Sequence, residues 1–127
     1  MAKSISLEST VSFKATDSGL SKILFDFQES LTSTINTNSV QYGEATVFDT
    51  TNKALNIVSS SAGQYIYIKN VEDENGSQIT ISFGTTTFST LEKGEFIYVK
   101  LRGGVDINVK LNTDLGQARC QYFLIEF

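Results

Sequence analysis

Residues 105–111 read Val105-Asp106-Ile107-Asn108-Val109-Lys110-Leu111. Apolar and polar residues alternate here without a fault. Successive side chains of a strand point to opposite faces, so this period of two marks a strand with one face buried. A helix would need its apolar residues three and four apart. Working outward, Arg102-Gly103-Gly104 before the segment and Asn112 to Gly116 after it read as turns. The last segment, Ala118 to Phe127, is a further strand rich in aromatic residues.

The same grammar extends toward the N-terminus. Phe96 to Leu101 and Gln64-Tyr65-Ile66-Tyr67-Ile68 are apolar on both parities, which predicts two central strands. Ile79, Ile81 and Phe83 alternate with Thr80 and Ser82. Asn75-Gly76 is a hairpin-turn dipeptide, while Gly84 to Thr87 and Leu91-Glu92-Lys93-Gly94 supply further turns around Phe88. Val40 to Phe48 predicts a strand interrupted at Gly43, Asp49 to Lys53 a turn, and Leu55-Asn56-Ile57 a short alternating piece. Ser59 to Gly63 reads as a loop.

At the start of the chain, Ile5, Leu7, Val11 and Phe13 share one parity. Ser9 breaks the series, so one bent strand or two short ones fit. Asp17-Ser18-Gly19 reads as a turn. Residues 20–35 carry two patterns. Leu20, Ile23, Leu24, Phe27 and Leu31 make a helical stripe, whereas Ile23, Phe25, Phe27, Leu31 and Ile35 make a strand face. The Thr-rich continuation from Thr32 to Thr37 disfavours helix, so a long strand is expected, with a bulge where Leu24 leaves the pattern. In all, eight to ten short strands predict an all-β chain, an antiparallel β-sandwich or jelly roll.

Composition agrees. The chain has 127 residues, the size of one domain of about 100–150 residues. A single β-sandwich domain over 1–127 is expected, with residues 1–15 as a possible strand arm that pairs with a neighbour's sheet edge. Fifteen Ser and fourteen Thr accompany many Ile, Val, Phe and Tyr. No stretch approaches the roughly 18–20 apolar residues of a membrane-spanning helix. The opening Met1-Ala2-Lys3-Ser4-Ile5-Ser6 lacks the apolar core of a signal peptide. Net charge is −4, and the ten Lys and Arg residues form no run, so neither nucleic acid nor membrane is an expected partner.

Chemistry is hard to find. With no His, the usual base near neutral pH is missing, and with it the His-based triads and metal sites. The lone Cys120 can make no internal disulfide and, on a strand parity shared with Ala118, Tyr122 and Leu124, reads as a buried thiol. Glu8, Asp26, Glu29, Asp106 and Glu126 fall at alternating polar positions and read as a solvent face, not a paired-carboxylate site. The acidic cluster Glu72-Asp73-Glu74-Asn75-Gly76 lacks the spacing of a calcium loop and reads as a solvated hairpin tip. Asn75-Gly76-Ser77 matches a glycosylation acceptor, and turn chemistry already accounts for it. Arg102-Gly103-Gly104 has neither the Lys nor the helix of a phosphate loop. Tyr42, Tyr65, Tyr67, Tyr98 and Tyr122 suggest either a sugar-stacking platform or sheet packing, and the lack of Trp favours packing. No catalytic, cofactor-binding or metal site is therefore expected, and no enzyme activity.

One further pattern crosses the second half. Tyr65-Ile66-Tyr67-Ile68-Lys69-Asn70, an acidic turn ending Asn75-Gly76, then Ile79-Thr80-Ile81-Ser82-Phe83, Leu91-Glu92-Lys93-Gly94-Glu95-Phe96 and the closing Cys120 to Phe127 succeed one another. This succession resembles small virion structural proteins of tailed bacteriophages, over roughly residues 64–127. Lys93 stands where that pattern would have Pro. The resemblance implies a capsid decoration or auxiliary protein, a head-fibre base, or a neck or tail component. It would be made in the host cytoplasm, located in the virion, and partnered by other virion proteins and by copies of itself. The contrasting expectation is a bacterial surface or adhesin-type β-sandwich module that binds a carbohydrate or a partner protein.

Overall fold

The alternating segments form strands because Val, Ile, Thr and aromatic side chains pack well on a pleated surface. In the computed structural model, described for residues 3–37, 39–47, 50–55, 63–71, 77–103, 105–112 and 116–127, the chain is all-β and its strand pairs are antiparallel. No helix occurs among the described residues. The chain divides into two compact units, residues 1–37 and residues 38–127.

The first unit is a two-stranded ribbon of β1 (Lys3–Asp17) and β2 (Lys22–Thr37). The strand expectation for residues 20–35 holds, and β1 runs unbroken through Ser9. The turn forms where Asp17-Ser18-Gly19 placed it. Asp17 Oδ1 accepts hydrogen bonds from the Gly19 N–H at 2.9 Å and the Leu20 N–H at 3.2 Å. Ser21 closes the turn at φ 52°, the left-handed region. The bulge lies at Leu24: Ala15 pairs with Phe25 and Thr16 with Ile23, leaving Leu24 between them. Of the arm envisaged for residues 1–15, residues 3–15 pair within their own chain.

The second unit is a sandwich of two four-stranded sheets. Its strands are β3 (Ser39–Val47), β4 (Lys53–Ala54), β5 (Gly63–Asn70), β6 (Ile79–Phe83), β7 (Thr86–Leu91), β8 (Phe96–Arg102), β9 (Ile107–Leu111) and β10 (Ala118–Glu126). One sheet has the order β3-β10-β5-β8 and the other β4-β9-β6-β7. The first strand of this unit pairs with its last, the second with its seventh, the third with its sixth and the fourth with its fifth. Successive pairs fall in alternate sheets. That wrapped, nested hairpin is the jelly roll.

The core lies between the sheets. Ile66, Ile68, Ala118, Cys120 and Leu124 meet Ile79, Ile81, Ile107, Val109 and Leu111, all buried. Parity decides each of these positions, as in any aligned sandwich. Two expectations change. Gln64 to Ile68 is an inner strand as expected, but Phe96 to Leu101 is an edge strand whose second apolar side is open, with Phe96 and Tyr98 exposed. Gly43 does not interrupt β3. It sits within it at φ 152°, opposite Tyr122, in a conformation that a side chain would strain. Residues 72–76, which carry the acidic cluster, lie outside the described residues.

Gly63 opens β5 by necessity. A Cβ there would lie 2.5 Å from the Leu101 backbone oxygen and 2.4 Å from the Phe127 ring. Gly63→Ala is expected to lower stability by about 1–3 kcal/mol, the range for forced overpacking. A urea titration with an unchanged midpoint would contradict this.

The motifs Ile68-Lys69-Asn70 and Leu91-Glu92-Lys93-Gly94-Glu95 meet in space. Asn70 is fully buried at the end of β5, and its Nδ2 donates to Ser77 O at 3.0 Å and Leu91 O at 2.9 Å. Its backbone N–H donates to Glu95 O at 3.0 Å, and its carbonyl accepts from the Gly94 N–H at 2.7 Å. The turn itself closes by Glu92 N–H donating to Glu95 Oε1 at 2.7 Å, with Gly94 at φ 86°. Within this chain, both motifs hold strand ends together.

Candidate assembly surfaces

Two surfaces stand out, one in each unit. The ribbon is the first. Its register aligns odd residues of β1 with odd residues of β2, so Phe13 faces Phe27, Val11 faces Glu29, Ser9 faces Leu31 and Ile5 faces Ile35. One side of the ribbon is therefore apolar: Ile5, Leu7, Val11 and Phe13 beside Phe25, Phe27, Leu31 and Ile35. The other side is polar, with Glu8 opposite Thr32, Ser12 opposite Gln28 and Lys14 opposite Asp26. Thr10 Oγ1 and Ser30 Oγ share a hydrogen bond of 3.3 Å there.

The apolar side is open. Phe13 is 59% exposed, Phe27 60% and Leu31 64%. Leu20, Ile23 and Leu24 are exposed at the turn end. The Phe25 and Phe27 rings stack on each other at 5.6 Å. Ile5, Leu7, Val11 and Ala15 on β1 are half-buried, and full burial is reached at Ile35 and Thr37 near the other end. A lone two-stranded hairpin is marginal in water, and a two-stranded ribbon with this much uncovered apolar surface has the character of an interaction element.

The second surface is the outer face of the sheet β3-β10-β5-β8. Tyr42, Phe123, Tyr67 and Tyr98 are successive cross-strand partners, so four aromatic residues form one row across four strands. Tyr67 stacks on Phe123 at 5.4 Å, Phe96 lies 5.9 Å from Tyr67, and Tyr98 lies 6.1 Å from Phe123. In the flanking row Lys100 Nζ sits 5.3 Å from both the Tyr65 and Phe127 rings. Burial, with the neighbouring Tyr65 adding to it, holds the Tyr98 phenol above its ordinary pKa. Arg119 reaches Glu44 at 3.8 Å on the same face. The opposite sheet is different: Thr80 bonds Thr90 and Asn112 at 3.2 Å, and Asn112 Nδ2 donates to Gln78 Oε1 at 2.9 Å. Thr80, Thr90, Asn112 and Gln78 there bond one another.

The structure thus assembles Tyr42, Tyr67 and Tyr98 into one row and sets Tyr65 beside it. Tyr122 lies on the inner side and packs against the core. Sequence parity could not reveal the row, because it depends on cross-strand register. The stacking also bears on its chemistry. Tyr67 and Phe123 partly cover each other's faces, whereas Tyr42 and Phe96 are exposed.

The carboxylates do not converge as a pair. Glu8, Asp26 and Glu29 lie on the ribbon, and Asp106 is exposed. Glu126 corrects the solvent-face expectation: it is 7% exposed and follows Leu124 on the inner parity of β10. It lines an end cleft of about 470 Å³ with Ser39, Gln41, Leu55 and Gln64. Gln41 Nε2 donates to Leu55 O at 2.7 Å, and Gln64 Nε2 donates to Val105 O at 3.3 Å. Among the described residues Gln64 Oε1 is buried with no hydrogen-bond partner. Among the described residues no group of three or more His, Cys, Asp or Glu could hold a metal.

Cys120 is fully buried, as its parity implied. Burial pushes its thiol up to about 11, against the pull of a backbone hydrogen bond at Ala45 and of Lys53, with Glu44 adding to the rise. The unfolded thiol ionises nearer 9. Between those values the unfolded chain holds fewer protons than the folded one, so stability falls as pH rises from about 9 to about 11 and is untouched by this group below 9. Cys120 is expected to resist a thiol reagent at pH 7 until denaturant is added. Stoichiometric labelling of the native protein within minutes would contradict this.

No protein-family model matches the chain, and no curated protein matches it in sequence.

Proposed function

We propose that this chain is a non-enzymatic structural protein of a tailed-bacteriophage virion, a capsid auxiliary, neck or tail component, that works through protein–protein assembly contacts. The observation that carries this reading is the amphipathic ribbon with its open apolar side. An isolated soluble module would gain nothing from exposing it, whereas a component of an assembly acquires a cover on docking. The aromatic row on the roll offers a second face of the same character. Supporting this, the succession of motifs over residues 64–127 resembles small virion proteins, and jelly rolls are used in viral capsids, an analogy at the level of fold alone.

The test is the composition of the particle. Particles produced from the genome that encodes this chain are purified and their proteins measured by mass spectrometry. A fixed copy number per particle is expected. Absence from intact particles overturns the proposal. Specific retention of a glycan by the purified chain, lost in Tyr42→Ala, would favour the surface-module alternative instead.

A further inference from the structure

Beyond assembly, we infer that the outer face of the sheet β3-β10-β5-β8 binds single-stranded nucleic acid, with bases laid on its aromatic row and phosphates on the cations around it. The first observation is charge. Register and strand alternation place Lys69 of β5, Lys100 and Arg102 of β8 and Arg119 of β10 on this face. Glu44 is the one carboxylate that the four strands set beside them. The chain as a whole holds ten basic and fourteen acidic residues. An acidic protein thus gathers four of its ten cations on one sheet face. No basic run in the sequence announces the patch, because its members come from three strands brought together by pairing. Lys100 and Arg102 are exposed, and Lys69 and Arg119 are half-buried. Lys100 Nζ rests 5.3 Å from the Tyr65 and Phe127 rings, a contact that engages its charge and not its N–H donors.

The second observation is the rings among those cations. The row Tyr42, Phe123, Tyr67 and Tyr98 crosses four strands, about 14 Å at the usual strand spacing. Tyr42 is 78% exposed, and Phe96 beside the row is 58% exposed. An aromatic-faced sheet of four strands seats two or three bases, each with a flat face to stack. Next to the row lies a hollow of about 370 Å³, lined by Tyr42, Gly43, Glu44, Tyr67 and Gln121. There the Gln121 amide both donates and accepts, and the Glu44 carboxylate accepts, as a base edge requires.

Charge and rings together select the occupant. An acidic polypeptide would meet the cations but bring few flat rings to the row. A neutral glycan would meet the rings and leave the cations without anions. A single strand supplies both, since every base has a π-face and every linkage a phosphate. A duplex keeps its bases stacked on one another and would use the cations alone.

The experiment titrates the full purified chain into fluorescein-labelled oligo-dT and oligo-U of about twelve nucleotides, within the roughly 4–16 that one binding fold covers. Fluorescence anisotropy at low salt is expected to rise with at least one of them, and the tighter of the two names the sugar. Affinity is expected to fall with salt, with a log–log slope of up to about −3 for four phosphate contacts. Tyr98→Ala is expected to weaken binding by about 5- to 150-fold, the range for one lost stacking platform, and Tyr98→Phe to preserve it. Lys100→Gln changes an exposed side chain and leaves the core alone, so it reads the face even if Tyr98→Ala does not fold. It is expected to weaken binding and to flatten the salt slope by about 0.7. No anisotropy change with either strand at low salt overturns the inference. So does equal affinity for a matched duplex or for heparin with no loss in Tyr98→Ala, which is polyanion attraction alone. An acidic peptide or a glycan that binds this face in preference to both strands overturns it as well.

Discussion

Asn70→Asp is expected to destabilise the jelly roll by about 3–5 kcal/mol at neutral pH, the range for an uncompensated buried charge. The Asn70 amide has 0% exposure, and its Nδ2 serves two carbonyl oxygens, Ser77 O and Leu91 O. A carboxylate would turn an acceptor toward those acceptors and leave both carbonyls short of a donor. The loss should depend on pH. The buried carboxyl would have a folded pKa raised above its unfolded value of about 3.9. Its protonated form is tolerated below that value, and stability falls as pH rises through the folded pKa. Chemical denaturation of wild type and variant at acid and neutral pH gives the comparison. Equal losses at both would show that the charge is not the cause.

Ile81→Ala is the second large effect, expected at about 2–5 kcal/mol. Ile81 is fully buried on β6, between β9 and β7, and belongs to the core cluster with Ile66, Ile68 and Val109. Backbone pairing on both sides fixes the strand, so the site cannot collapse to fill the space. A surface control such as Ser12→Ala on the ribbon's polar side should change stability by less than about 0.5 kcal/mol. If the two variants unfold at the same denaturant concentration, the core has been misassigned.

Much of this was legible in the residues. Alternation from Ile107 to Leu111, and from Ala118 to Leu124, fixed which side chains enter the core, because strand parity is a local property. The bulge at Leu24 was visible for the same reason. What parity cannot give is the neighbour of a strand. Phe96 to Leu101 looked central because both its faces are apolar, yet it is an edge strand, and its second face joins an aromatic row contributed by four strands distant in sequence. Glu126 was assigned to solvent by its charge, although its parity with Cys120 and Leu124 pointed inward. Likewise the open apolar side of the ribbon required knowing that β1 and β2 pair with each other and align their odd residues.

The nested pairing of the roll carries a kinetic consequence. β3 cannot gain its partner until β10 exists, so this sheet is assembled only when nearly the whole chain is available. Folds dominated by such distant pairings fold slowly, in milliseconds to seconds. The ribbon is the opposite case: its strands are joined by a four-residue turn, and a hairpin of that kind closes in microseconds. Since residues 3–37 precede the roll, both strands of the ribbon are available for pairing while the strands that form the core are still being made. A fast, local element therefore precedes a slow, non-local one along the same chain.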